Sequence, residues 1–338
     1  MARNVRRWLA TLVGTSLFTL LIIGCGGPKH ADDDDEDYRP AKKASKQKAS
    51  GPATSLKPVK ATEFGILKGK ITWEGNEPDF ERESARLKSL ISGSQDRDYC
   101  LTGKLPGDPD TASTIRPCES EQQTYRLGKN RGLGNVFVWI QPEPGHFFEI
   151  PAEQISGVSK EVVLQQPHCA FLPHCLVLFP SYRGADGKQT PTGQQFLVEN
   201  DARVGHNAKV QGGPLNSGQG SSIPARKPDG STTRLPIVLK PDSQPVSVAC
   251  DIHGWMKAWV RVFDHPYAAV SSVGADAKAK VWENLESPAV GTYEIKGVPV
   301  GAKVKIFAWH EELGLLPGSG KEITLKKDQV EDFTAKLK

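Results

Sequence analysis

Short apolar runs separated by Gly and Pro recur along most of this chain of 338 residues. Residues 66–75 alternate apolar and polar positions and end on Gly75, the pattern of a half-buried strand. Residues 135–140, 162–164, 176–179, 195–200, 246–249 and 258–263 read as further strands. One stretch breaks the pattern: Pro78-Asp79, followed by Phe80, Leu87, Leu90 and Ile91, predicts a capped helix of about three turns. Residues 291–301 and 304–309 then alternate around Gly and Pro once more. Long amphipathic periods are otherwise scarce, so the predicted class is all-β, with room for two sandwich domains of ordinary size.

The amino end differs in character. Arg3, Arg6 and Arg7 precede an apolar run over residues 8–23, then Gly24-Cys25. That run is 16 residues long, short of the ~20 a spanning helix needs, and residues 1–24 read as an export signal rather than a retained anchor. Ile22-Ile23-Gly24-Cys25 resembles a bacterial lipobox, which implies acylation of Cys25 and a lipid tether to a membrane. Residues 25–62 carry an acidic block at 32–37 and then Lys42, Lys43, Lys46, Lys48, Lys57 and Lys60. Such a segment buries too little apolar area to offset its ordering entropy, so it is expected to be a flexible charged stalk. Loss of the three N-terminal arginines takes the formal charge from +4 to +1. Nucleic acid is therefore not an expected partner. Gly-x-Ser-x-Gly, His-Glu-x-x-His and phosphate-cradling Gly loops do not occur, which argues against a hydrolase or nucleotide enzyme.

Chemistry concentrates after the run at 246–249, where Cys250, His253 and Met256 follow at three-residue intervals. A thiolate, an imidazole and a thioether are soft copper donors, and a second imidazole would complete a blue-copper set. His206, at the end of another strand-like run, is the candidate. The competing reading, buried Cys and Met beside a loop histidine, is opposed by composition. The chain has two methionines, and with Met1 removed Met256 would be the sole one. The pattern of Asn200 to His206-Asn207 with Cys250, His253 and Met256 resembles the cupredoxins, most closely the amicyanin and plastocyanin type. The resemblance implies a Greek-key β-sandwich over residues 160–264 and one type 1 copper per chain, bound by His206, Cys250 and His253 with Met256 as a weak axial ligand. It also implies that Asn207 hydrogen-bonds the two ligand loops together, and that the edge of His253 reaches solvent. Ile252, Gly254 and Trp255 would then form an apolar docking patch for a redox partner such as a cytochrome or dehydrogenase; the alternative is that Trp255 turns inward and packs under the loop.

Residues 291–309 resemble the carboxypeptidase regulatory-like β-sandwich, whose opening strands residues 66–75 and 135–140 would supply. The implied organisation is a sandwich in two pieces, 63–150 and 265–338, with the cupredoxin inserted. Proteins of this arrangement are grouped with exported methylamine-utilisation proteins. Apart from Cys25 and Cys250, the cysteines are Cys100, Cys118, Cys169 and Cys175, and outside the cytoplasm four cysteines suggest two disulfides in one of three pairings. The resemblance favours Cys100 with Cys169, leaving Cys118 to Cys175. A metal site from His168-Cys169 and His174-Cys175 is the competing reading. The expected function is one-electron transfer outside the cytoplasm with no substrate chemistry; the alternative is a copper-binding or structural surface lipoprotein without redox partners.

Overall fold

The alternating run near the amino end becomes the strand Phe64–Trp73, which turns Leu67, Ile71 and Trp73 into a core. The computed structural model describes residues 56–109, 113–184, 186–218, 220–276 and 281–337; the export segment, Cys25 and the stalk as far as residue 55 lie outside them. Phe64–Trp73 pairs antiparallel with Thr292–Pro299, with a register shift at Gly297, whose φ of 70° is a conformation that favours glycine. On its other side it takes Asp328–Val330 and Phe333–Ala335 in parallel. The facing layer has Phe137–Pro142 between Ala268–Val270 and Lys303–His310, with Lys321–Thr324 beyond. Leu67, Ile71 and Ile295 of one layer pack with Val138, Ile140 and Ile306 of the other. Strands from both ends of the described chain thus close one sandwich. The predicted strand at 135–140 starts at Phe137, because Asn135 takes a φ of 61° and turns the chain into it.

The intervening residues build the second body, and the fold as a whole is all-β. One sheet runs Ser221–Ile223, His206–Gln211, Val246–Ala249, Lys257–Val262, Cys175–Leu178; the other runs Thr233–Ile237, Gln195–Asn200, Glu161–Gln166. Leu164, Val198, Val210, Val248 and Val260 fill the space between them. The two bodies meet across an aromatic layer in which Trp139 contacts Phe263 and Trp259 contacts Trp309, with ring centroids 5.9 Å and 5.3 Å apart.

The predicted helix spans Phe80–Ser92, with the Asp79 carboxylate accepting from the Arg82 backbone N–H at 3.0 Å. A shorter helix, Arg97–Thr102, follows. By sequence both fall in the first body's segment, but Ile91, Tyr99 and Cys100 are buried in the second body's core. The Tyr99 hydroxyl accepts from the Arg203 backbone N–H at 2.9 Å. These helices form a cap over the end of the second sandwich. Lys57–Val59, assigned from composition to the stalk, pairs in parallel with His146–Phe148, so ordered chain begins before residue 62. Among the described residues no helix is long and apolar enough to cross a membrane.

Candidate metal centre

The antiparallel pairing of His206–Gln211 with Val246–Ala249 sets Lys209 opposite Ala249, which brings His206 and Cys250 to the same end of one sheet. The following loop is tight. The Met256 backbone N–H donates to the His253 carbonyl at 2.8 Å, and the Cys250 N–H to the Met256 carbonyl at 3.3 Å. The Asn207 side chain bridges the segments that carry His206 and Cys250, donating to the Asp251 carboxylate at 2.8 Å and accepting from the Asp251 backbone N–H at 2.6 Å. His206, Cys250, His253 and Met256 are each at most 2% exposed.

His206 Nδ1 stands 2.9 Å from His253 Nδ1, and Cys250 Sγ stands 3.9 Å from His253 Nδ1. The three donor atoms all lie within 4.8 Å of one another. The outer ring nitrogens fix the tautomers. His206 Nε2 faces the His168 carbonyl at 2.8 Å and His253 Nε2 faces the Asp96 carboxylate at 3.0 Å, and both partners only accept. Each Nε2 therefore carries the proton, and both Nδ1 lone pairs point at each other. Burial, and then the neighbouring His253, holds His206 down to about 3. Burial also lowers His253, against the opposing pull of Asp96. Both rings are thus neutral at neutral pH, the form that ligates a metal.

Two lone pairs facing each other in a buried site repel, a cation between them relieves that repulsion while both Nε2 protons keep their acceptors, and the donor set fits one. Two imidazole nitrogens each about 2.0 Å from one ion at ordinary coordination angles stand about 3 Å apart. Two imidazoles and a thiolate, with a thioether close by in the chain, suit copper better than the closed Cys and His sets of structural zinc. Met256 closes the loop that begins at Cys250 and is buried in the same core cluster.

The structure brings His206, Cys250, His253 and Asn207 together and corrects other expectations. The edge of His253 does not reach solvent, because the cap lies over it and Asp96 occupies Nε2. The expected docking patch is correspondingly broken up: Ile252 is 55% exposed and Gly254 is exposed, but Trp255 is half-buried, packs its ring tilted against His253 with centroids 5.1 Å apart and donates from Nε1 to the Cys169 carbonyl at 3.1 Å. Trp255 has turned inward. Cys100 and Cys169 form a disulfide, whereas Cys118 and Cys175 are free and buried rather than paired. Burial, with Glu283 and Glu119 nearby, pushes the Cys118 thiol up to about 12; Cys175 sits under the Asn135 carbonyl at 3.5 Å. The alternative site at residues 168–175 does not assemble, since His168 pairs with Glu119, His174 with Glu311 and Gln123, and Cys169 with Cys100.

The residue that sequence reasoning missed is Asp96. It is the N-terminal cap residue of Arg97–Thr102, yet its side chain makes no capping hydrogen bond and turns to His253 instead. The disulfide one turn later joins this cap to the segment whose His168 carbonyl holds His206. Both outer acceptors of the two imidazoles are therefore stapled together.

No family model matches the chain, and no curated protein matches it. Among solved structures the chain is similar to a purple cupredoxin from Nitrosopumilus maritimus, at 14% identity and a TM-score of 0.21, over 30% of this chain and 97% of that one.

Proposed function

We propose that this chain is an exported, membrane-tethered copper protein of the cupredoxin type that carries single electrons between protein partners such as a cytochrome and a dehydrogenase. The observation that carries the reading is the convergence of His206 Nδ1, His253 Nδ1 and Cys250 Sγ, with both imidazoles held in the ligating tautomer. His206, Cys250 and His253 would hold one copper, with Met256 as a weak fourth donor, and copper supplies one-electron exchange between its Cu(I) and Cu(II) states. The chain's own contribution is to keep these donors still. Asn207 locks the two ligand segments together, the His168 carbonyl orients His206, and Asp96 orients His253. The burial of all four donors supports electron carriage over chemistry on a bound substrate.

One observation favours a second reading, copper holding without redox partners: His253 is 1% exposed, so no partner touches its edge directly. Trp255 is then the side chain that links His253 to a surface cleft of about 260 Å³. Electrochemistry on the purified, copper-loaded chain separates the two. A carrier gives a reversible one-electron wave and exchanges electrons with small redox reagents. Bound copper that does neither supports the second reading.

A further inference from the structure

Among the described residues two groupings of three metal-ligating side chains occur, and His253 belongs to both. The first is the centre above. In the second, the sulfurs of Cys100 and Cys169 and a ring nitrogen of His253 all lie within 4.8 Å of one another. A disulfide that only pins a cap to a sandwich has no need of an imidazole at its sulfurs. Cys169 also lines the 260 Å³ cleft, beside Trp255 and Met256, so a path from the surface reaches this side of the site.

We propose that the Cys100–Cys169 disulfide masks a second copper(I) site, in which the two thiolates and His253 take Cu(I) once the disulfide is reduced. The proposal rests on the copper reading above in that it shares His253 with that centre. The reductant is a dithiol, which supplies two electrons and two protons. The Cys100–Cys169 bond breaks, both sulfurs become thiols, and the dithiol closes to its own disulfide. Each cysteine then releases its proton to solvent as it binds, and the copper remains Cu(I) throughout. Two thiolates and an imidazole are the soft donors that select Cu(I). Because His253 is common to both sets, an ion taken up at the dithiolate stands next to His206 and Cys250. The site suits loading of the chain under reducing conditions.

The test uses the full-length chain and copper(I) alone, measured by competition with a chromophoric Cu(I) chelator under anaerobic conditions. Cys250→Ser, which disables the first set, is treated with dithiothreitol, desalted, and compared with its disulfide-intact form. The reduced protein should retain about one Cu(I) per chain and the intact form should retain none. Adding Cys100→Ser should weaken binding by at least about 100-fold, which also excludes Cys118 and Cys175 as the source. A reduced Cys250→Ser protein that holds no more Cu(I) than the intact one overturns the proposal, as does a thiol count showing that the disulfide survives dithiothreitol. A second variant gives an independent answer: X-ray absorption of reduced, Cu(I)-loaded Cys250→Ala should show two short copper–sulfur contacts, and one or none overturns the proposal. The first centre is tested separately, with Cu(II) and the disulfide intact, so either site can fail alone.

Discussion

Replacing Asp96 with Ala removes the acceptor for His253 Nε2–H, and the cost falls unequally on the two forms of the protein. Without metal, His253 can move its proton to Nδ1 and donate to His206 Nδ1, already 2.9 Å away, so little is lost. With metal bound, Nδ1 is a ligand and Nε2–H is left without its partner. An unsatisfied buried donor costs about 1–3 kcal/mol. Removal of an outer partner of a ligating histidine typically costs about 10–100-fold in metal affinity, which is about 1.4–2.7 kcal/mol. The Asp96 side chain is 32% exposed, so water can replace part of the contact, which sets the expectation at the low end, about tenfold. The carboxylate does not cap its own helix, so the cap should stay folded. The assay pairs Cu(II) competition against a chelator with thermal unfolding of the metal-free chain. Asp96→Ala should bind copper about tenfold more weakly, with metal-free stability changed by less than about 1 kcal/mol, and Asp96→Asn should recover part of the affinity. Wild-type affinity in Asp96→Ala would mean that Asp96 does not support a metal-bound His253, and a loss that appears equally in the metal-free chain would mean that it acts on folding alone.

Three further predictions are independent of Asp96. Trp255→Ala should lower stability by about 2 kcal/mol in urea unfolding and shift the copper spectrum, since Trp255 packs inward against His253 and bonds the Cys169 carbonyl; slower partner exchange with spectrum and stability untouched would restore the docking role. Burial pushes Glu311 up, but His174 and Trp259 outweigh it and hold the carboxyl at about 2. A carboxyl lowered on folding stabilises above its unfolded value and loses that contribution as pH falls toward the folded one. Wild-type stability should therefore drop by about 1–3 kcal/mol between about pH 4.5 and pH 2, and Glu311→Gln should flatten that slope; an unchanged slope counts against the pairing. Cys25→Ser should move the expressed protein from the detergent phase to the aqueous phase, and equal partitioning of both forms contradicts the lipid tether.

The convergence of His206, Cys250 and His253 was legible because the pattern that marks it is local. Cys250, His253 and Met256 lie on one loop at fixed spacing, and His206 begins a strand whose Asn207 neighbour is its own marker. The cap was not legible, because Asp96 meets His253 across 157 residues of sequence, and nothing in an Asp at a helix start says that its carboxylate will leave the helix. The one available signal was the Cys100–Cys169 pairing: it puts Arg97–Thr102 against the segment at 168–169, and Asp96 lies one helical turn before Cys100 on the same face. The even count of remaining cysteines misled for a physical reason. Cys118 sits among Glu119, Glu283 and Arg126 on one side, whereas Cys175 is in the aromatic layer between the two bodies with Phe137 and Trp139. Trp255 was undecided because a large apolar residue on a ligand loop serves equally as an exposed patch or as packing. The helical cap supplied the neighbours that decided it.

Visible absorption of the oxidised, purified chain, read alongside its copper content, decides whether His206, Cys250 and His253 make one copper site. A copper site of this donor set should give about one copper per chain and an intense thiolate-to-Cu(II) band at about 600 nm, lost in Cys250→Ser. A wild-type protein that takes up no stoichiometric copper, or that keeps the same band without Cys250, contradicts it.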